Sequence, residues 1–266
     1  VRSRRQRQMC IRDSPQFLRE CFDSLVAQTY PADEIVVLFD GTVTPELEAV
    51  VENYQDKLPI NAVKFAQNRG LGKTLNDGLN YCRNEWVFRM DTDDICVPER
   101  FEKQVAFIEA NPDVIIFGGQ IAEFGQSIQD IVAYRNVPTD LQNIRKFARL
   151  RCPFNHMTVA YQKSKVIECG GYQGLQEDYT LWIKMIATGL KVANLPDMLV
   201  YARVGNGMVG RRRGWNQFAY EWTLYRLKNR CHIHDPISGF PIFLMRAIPR
   251  ILPLALLKKV YQLLRK

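Results

Sequence analysis

Three carboxylates fall within four residues at Asp91-Thr92-Asp93-Asp94. Carboxylates that close repel one another, and the arrangement suits a hard cation. Mg2+ and Mn2+ favour oxygen ligands and share their shell with substrate phosphates. A solvated acidic turn or helix start gives the same letters without a metal. Placement favours the metal here: the apolar run Trp86-Val87-Phe88-Arg89-Met90 leads into the cluster, and Pro98-Glu99-Arg100 opens a helix after it. Asp40-Gly41 closes a second apolar run, and its ordinary role is a turn. Glu177-Asp178 opens an amphipathic segment, where capping is the plainer reading. Arg69 and Lys73 flank the loop Gly70-Leu71-Gly72, as phosphate ligands or as solvated charges. His156 is isolated in Pro153-Phe154-Asn155-His156-Met157-Thr158. Arg203 follows the strand-like Leu199–Ala202. His232 and His234 lack a third ligand and read as surface.

The elements that must carry these residues alternate. Helical spacing is read over 15–29, 44–57, the stretch from the loop at 68–72 to about Cys82, and 98–110. Apolar runs at Glu34–Phe39, Ala62–Ala66, Trp86–Met90 and Val114–Gly118 read as buried strands. Strand–helix alternation of this kind predicts an α/β fold with a mostly parallel sheet between helices. Ligands then sit at the carboxyl ends of the strands, where Asp40 and Asp91–Asp94 fall. Further on, helices are read at 139–150 and 176–188, a strand at 192–202, and a C-terminal helical tail at 215–230 and 240–266.

Of the 266 residues, 47% are apolar and 24% charged, the balance of a globular chain. The net charge of +8 is unevenly spread. Residues 203–266 hold thirteen Lys/Arg and two acids, whereas the body at 15–202 is net acidic. A nucleic-acid partner fits this poorly; an acidic body that handles a metal and a basic tail that meets an anionic surface fit it better. The seven cysteines form no C-x-x-C pair, which fits a reducing, cytoplasmic setting. No apolar run reaches the length of a membrane-spanning helix.

Residues 1–14, with five Arg and one Asp, show neither strand nor helix periodicity. They resemble a translated sequencing-adapter tract. They are therefore set aside as a non-native leader, and the sheet is expected to lack its first strand.

Gln28-Thr29-Tyr30, the strand ending in Asp40-Gly41, Asn68-Arg69-Gly70, Asp91-Thr92-Asp93-Asp94, Pro98-Glu99-Arg100 and Glu177-Asp178 stand in the order found in glycosyltransferase family 2. The resemblance spans about 16 to 210. It implies a GT-A nucleotide-diphospho-sugar transferase domain at 15–210, followed by a basic helical tail at 211–266. It further implies an inverting hexosyltransferase of exopolysaccharide or surface-polysaccharide synthesis. Asp40 would meet the donor base, although Phe39 stands where the family often has another acid. Asp91 and Asp93 would be the D-x-D pair, with Asp93 the first choice of metal ligand and Asp94 in support. Arg69, Lys73, His156 and Arg203 would surround the donor. Glu177 would accompany Asp178, which occupies the catalytic-base position. Mg2+ or Mn2+ is the implied cofactor. The implied partners are a nucleotide-diphospho-sugar, with a UDP-sugar the expected donor, and a glycan or polyprenyl-diphosphate-linked acceptor.

A phosphate-binding NTPase loop needs glycine at 67, which is Gln67. A phosphatase or phosphotransferase could use Asp91-x-Asp93 but leaves Glu177-Asp178 unexplained. A non-enzymatic basic membrane-surface protein accounts for the tail alone. The combined expectation is an enzyme whose tail lies on the cytoplasmic face of the inner membrane.

Overall fold

The computed structural model describes residues 5–11, 14–174, 177–204 and 214–251. The elements run β1 (Arg5–Ile11), α1 (Pro15–Val26), β2 (Glu34–Asp40), α2 (Pro45–Asn53), β3 (Ile60–Phe65), α3 (Leu71–Leu79) and β4 (Trp86–Arg89). They continue through β5 (Ile95–Cys96), α4 (Arg100–Ala110), β6 (Val114–Phe124), β7 (Ile131–Arg135) and α5 (Leu141–Phe147). The last are β8 (Ala160–Gln162), α6 (Lys163–Glu168), α7 (Glu177–Ala187), β9 (Lys191–Arg203), α8 (Trp215–Arg230) and α9 (Pro236–Ile251).

Among the described residues the strands form one sheet in the order β3-β2-β1-β4-β8-β6-β9-β5, with β7 added beside β6. The half from β3 to β4 is parallel throughout. Its helices lie between successive strands, so all four strand ends deliver their loops to one rim. β2 is buried along its whole length, as a strand covered on both faces must be. The other half mixes directions: β8 runs antiparallel to both β4 and β6, while β6 and β9 are parallel. Two buried clusters fill the two faces. One packs α1, α2 and α4 residues such as Phe22, Leu47 and Phe101; the other packs Leu75, Tyr161, Trp182 and Leu224.

The expected missing strand is a correction. Residues 5–11 form β1 at the centre of the parallel half, registered from Gln6↔Glu34 to Ile11↔Phe39 on one side. On the other side Arg5↔Trp86 to Gln8↔Arg89 complete it. A strand between two parallel neighbours is held by main-chain hydrogen bonds along both edges, and side-chain periodicity is a weak guide to it. Residues 1–4 and 12–13 lie outside the described residues, as do the expected boundary at 210/211 and the tail beyond Ile251.

His234 is a second correction. It is buried rather than superficial, with its ring stacked on Tyr225 at 5.7 Å. His232 is exposed, as expected.

Candidate functional site

Asp40 ends β2 and is buried. Its Oδ1 accepts from the Arg69 backbone N–H at 2.7 Å and from the Thr74 hydroxyl at 2.7 Å; its Oδ2 accepts from the Gly70 N–H at 3.1 Å. The carboxylate therefore seats the 68–74 loop and the first turn of α3. Gly41 makes that seat possible. Its φ is +93°, and an added Cβ would lie 2.7 Å from the Asn68 nitrogen.

From this seat the loop and α3 form one wall of a cavity of about 530 Å³. Arg69 and Lys73 line it, and Tyr172 and Glu177 face them. Arg69 is stacked on Phe65 at 3.8 Å and paired with Asp77 at 2.5 Å. Its Nε and Nη2 make no hydrogen bond among the described residues. Lys73 is exposed. Asn76 closes the floor by bracketing Tyr172: its Nδ2 donates to the Tyr172 carbonyl at 2.6 Å, and its Oδ1 accepts the Tyr172 N–H at 2.8 Å. Gly72 lets α3 approach α7, since a Cβ there would touch Glu177 Cγ at 3.1 Å.

Tyr172 links this cavity to the acidic cluster. Its hydroxyl lies 3.4 Å from His156 Nε2, and both rings pack on Trp182. His156 sits electrostatically between Asp178 and Asp91. Burial first, and then Arg89, push its imidazole down to about 4, against the pull of those two carboxylates. It is therefore a neutral imidazole near pH 7. Asp178, in the first turn of α7, accepts a long contact from the Cys152 thiol at 3.9 Å. Burial, reinforced by Asp178, raises that thiol to about 12, so it stays protonated.

Within the cluster the three carboxylates have separate environments. Burial alone would raise Asp91, but Arg89, His156 and Arg100 outweigh it and hold the carboxyl below its ordinary range. Arg89 itself is buried in β4 and donates its Nη2–H to Asp91 at 2.5 Å. Asp94 is buried and raised well above the usual range, by burial first and by Asp91 and Asp93 next. Its Oδ1 accepts the Arg203 N–H at 2.8 Å, while its Oδ2 has no hydrogen-bond partner among the described residues. Asp93 is partly exposed.

Arg203 is turned inward. Its guanidinium lies between Phe17 and Phe124, at 4.0 and 4.5 Å. It pairs with Glu20 and donates from Nε to the Asp93 carbonyl at 3.1 Å. A planar guanidinium suits this combination of stacking and forked donation. Arg203 thereby ties α1, β9 and the acidic turn together.

Arg89, Tyr172 and Asn76 are site-forming residues that the motifs did not single out. Arg89 carried a signal, since a cation within an apolar strand beside three acids needs a carboxylate partner. Tyr172 and Asn76 carried none, because their pairing joins segments about a hundred residues apart.

Among the described residues no three His, Cys, Asp or Glu side chains converge as a self-sufficient metal cage. The donor set at 91–94 is carboxylate oxygen, and Asp94 Oδ2 is a buried acceptor without a donor among the described residues. This fits a hard cation that draws the rest of its shell from water and a ligand's phosphate oxygens.

The chain belongs to glycosyl transferase family 2, whose family model matches residues 9–175. Its fold is the GT-A fold, and the enzyme class is glycosyltransferase. An amylovoran biosynthesis glycosyltransferase, AmsE of Erwinia amylovora, is 42% identical over 96% of this chain and 96% of its own. A UDP-Gal:alpha-D-GlcNAc-diphosphoundecaprenol beta-1,3-galactosyltransferase of Escherichia coli is 34% identical over 91% of this chain and 86% of its own. The mannosyltransferase PcManGT of Pyrobaculum calidifontis, solved with GDP-Man and Mn2+, matches with a TM-score of 0.64 at 17% identity. That match covers 99% of this chain and 81% of the solved one. Family membership sets aside the phosphatase reading of Asp91-x-Asp93 and the non-enzymatic reading of the tail.

Proposed function

We propose that this chain is an inverting hexosyltransferase that uses a UDP-sugar and extends a polyprenyl-diphosphate-linked glycan in exopolysaccharide or surface-polysaccharide synthesis. The observation that carries this reading is the cavity lined by Arg69, Lys73, Tyr172 and Glu177, whose Tyr172 hydroxyl lies 3.4 Å from His156, an imidazole under the influence of both Asp91 and Asp178. The acidic turn suits the donor side and Asp178 the acceptor side. The galactosyltransferase relative supports a UDP-sugar and a lipid-linked acceptor by its name.

In this reading the acceptor hydroxyl oxygen bonds to the anomeric carbon as Asp178 takes its proton. The bond from that carbon to the diphosphate oxygen breaks on the opposite face, and its electron pair leaves with the nucleoside diphosphate. Asp93, with Asp91, would hold Mg2+ or Mn2+, which supplies neutralising charge at the leaving diphosphate. Arg69 and Lys73 add cationic charge along the same cavity, and Glu177 meets the sugar from the α7 side. Asp40 shapes the base pocket by seating the 68–74 loop and meets the base from there. Arg203 acts by fixing the acidic turn on which the donor rests. The enzyme meets its acceptor at the cytoplasmic face of the membrane. Among the described residues no helix is long and apolar enough to cross one.

A donor screen with Mn2+ and Mg2+ tests the reading, with Asp93→Ala and Asp178→Ala as controls. Asp93→Ala is expected to lose metal-dependent donor binding. Asp178→Ala is expected to keep donor binding and to lose transfer by on the order of a hundredfold or more. Transfer that survives Asp178→Ala would remove the assigned base, and a donor screen without any nucleotide-sugar turnover would remove the whole reading.

A further inference from the structure

Helix α9 has an unusual distribution of charge. Its charged residues are Arg246 and Arg250, and both turn inward to Glu221 of α8. Its buried face is formed by Gly239, Phe243, Ala247 and Arg250. The opposite, exposed face carries Ile237, Pro241, Met245 and Ile248, spaced three or four residues apart, and no charge. Ile237 is 87% exposed and Met245 54%. A surface helix normally turns a polar stripe outward, so an uncharged outer stripe calls for a partner. Next to it α8 exposes Trp215, at 72%, and Trp222, together with Arg226 and Arg230. The acid of α8, Glu221, is buried under its two arginines.

We infer that the outer face of the α8–α9 hairpin docks on an anionic phospholipid bilayer, with α9 lying in the interface plane. The inference rests on the proposed lipid-linked acceptor only for its biological sense; the surface itself is argued from exposure and charge. Tryptophan, isoleucine and methionine enter the boundary between headgroups and acyl chains, while arginines at the rim meet lipid phosphates. In sequence, Arg211-Arg212-Arg213 precedes α8, and Lys258, Lys259, Arg265 and Lys266 follow α9, adding cations of the same sign. A second copy of the chain is the less suitable occupant, because these cations would face their own kind.

The hairpin is also firmly joined to the enzyme. Its inner face grips the 145–151 segment: Arg246 Nη1 donates to the Leu150 carbonyl at 2.5 Å, and Arg149 Nε donates to the Ile233 carbonyl at 2.9 Å. A docked hairpin therefore fixes the catalytic body relative to the bilayer rather than tethering it loosely.

Flotation of the full chain with vesicles of phosphatidylcholine, with and without phosphatidylglycerol, tests the inference. The wild type is expected to float with the anionic vesicles and to bind neutral ones at least about tenfold more weakly. Ile237→Ser/Met245→Ser/Ile248→Ser should weaken anionic binding by about tenfold or more, since each side chain removes buried apolar area. Arg226→Glu/Arg230→Glu should remove the preference for anionic lipid while leaving the fold intact by circular dichroism. Unchanged flotation of the triple variant would overturn the inference. So would a wild type that ignores vesicles and forms a dimer that the triple variant disrupts. Donor binding, followed in parallel without lipid, separates this outcome from a failure of the glycosyltransferase reading.

Discussion

Lys228 of α8 donates its Nζ–H to the Tyr179 hydroxyl at 2.7 Å, and Tyr179 is the residue after Asp178 on α7. The same ammonium donates to the Arg149 carbonyl at 2.9 Å, and the Tyr179 hydroxyl donates to the Ala148 carbonyl at 2.8 Å. Burial, and then Arg246, drive the Lys228 ammonium well below its ordinary range. The helix that carries the proposed base is thus held both by α8 and by the 148–149 segment. Tyr179→Phe leaves the Lys228 ammonium short of an acceptor in a buried place. Thermal unfolding should show a loss of about 1–3 kcal/mol. At this chain length that is roughly 2–4 °C per kcal/mol. An unshifted melting temperature would mean the contact carries no weight.

Glu221 is a harsher test of the same hairpin. It is buried and holds both Arg246, at 2.8 Å, and Arg250, at 3.1 Å. Glu221→Ala leaves two guanidinium groups without their carboxylate, and breaking a buried pair in this way costs about 3–5 kcal/mol. Denaturant titration should show that loss, and proteolysis should begin in the hairpin before the sheet.

The seat of the 68–74 loop predicts a local effect. Gly41→Ala places a methyl against the Asn68 backbone at a φ of +93° that alanine resists. The strain is about 1–3 kcal/mol. It can be relieved by lifting the loop away from Asp40. Donor affinity should then fall several-fold while the sheet stays folded. Donor titration equal to wild type would show that this loop does not shape the donor pocket.

His156 predicts a pH dependence. Its pKa is pushed down to about 4 in the folded protein, by burial first and by Arg89 second, against about 6.5 in an unfolded chain. Between those values the unfolded state holds more protons. The contribution is therefore fully present above about pH 6.5 and is lost as pH falls toward 4, by up to about 3 kcal/mol. His156→Gln should flatten the decline in stability between pH 7 and 4.5 relative to wild type. Parallel curves for the two proteins would assign the acid sensitivity to other groups.

Arg203 offers a test of how the acidic turn is fixed. Arg203→Lys keeps one charge but loses the stacking on Phe17 and Phe124 and the forked donation to Glu20 and the Asp93 carbonyl. A loss of about 1–3 kcal/mol in stability is expected. Mn2+ binding, measured by electron paramagnetic resonance, should weaken with it. Unchanged binding would detach the clamp from the metal.

The sequence reveals some of these parts better than others. β2 and β4 are apolar runs that end in acids, so their burial and the placing of Asp40 and Asp91 at one rim follow from pattern alone. Val114–Gly118 is legible too, but the strand continues to Phe124 through two glycines that look like a stop. Those glycines serve contact instead: a Cβ at Gly118 would lie 2.9 Å from both Asn194 Oδ1 and Thr158 Oγ1. Such crowding comes from residues far along the chain and leaves no local trace. The two-residue β5 and three-residue β8 are likewise too short for any period to register. Arg203 was visible as a cation near the site, but its direction was not, since Glu20, Phe17 and Phe124 reach it from distant segments.

The pairing of Arg5–Gln8 with Trp86–Arg89 joins segments about eighty residues apart at the middle of the sheet. Until β4 has formed, β1 can be held only by β2. Closing so long a loop comes at an entropic cost that local contacts do not offset, and topologies of this kind fold slowly. The rim that presents Asp91 beside Asp40 therefore depends on this long-range closure, and weakening of β1 should be felt at the acidic turn before it is felt at the outer strands.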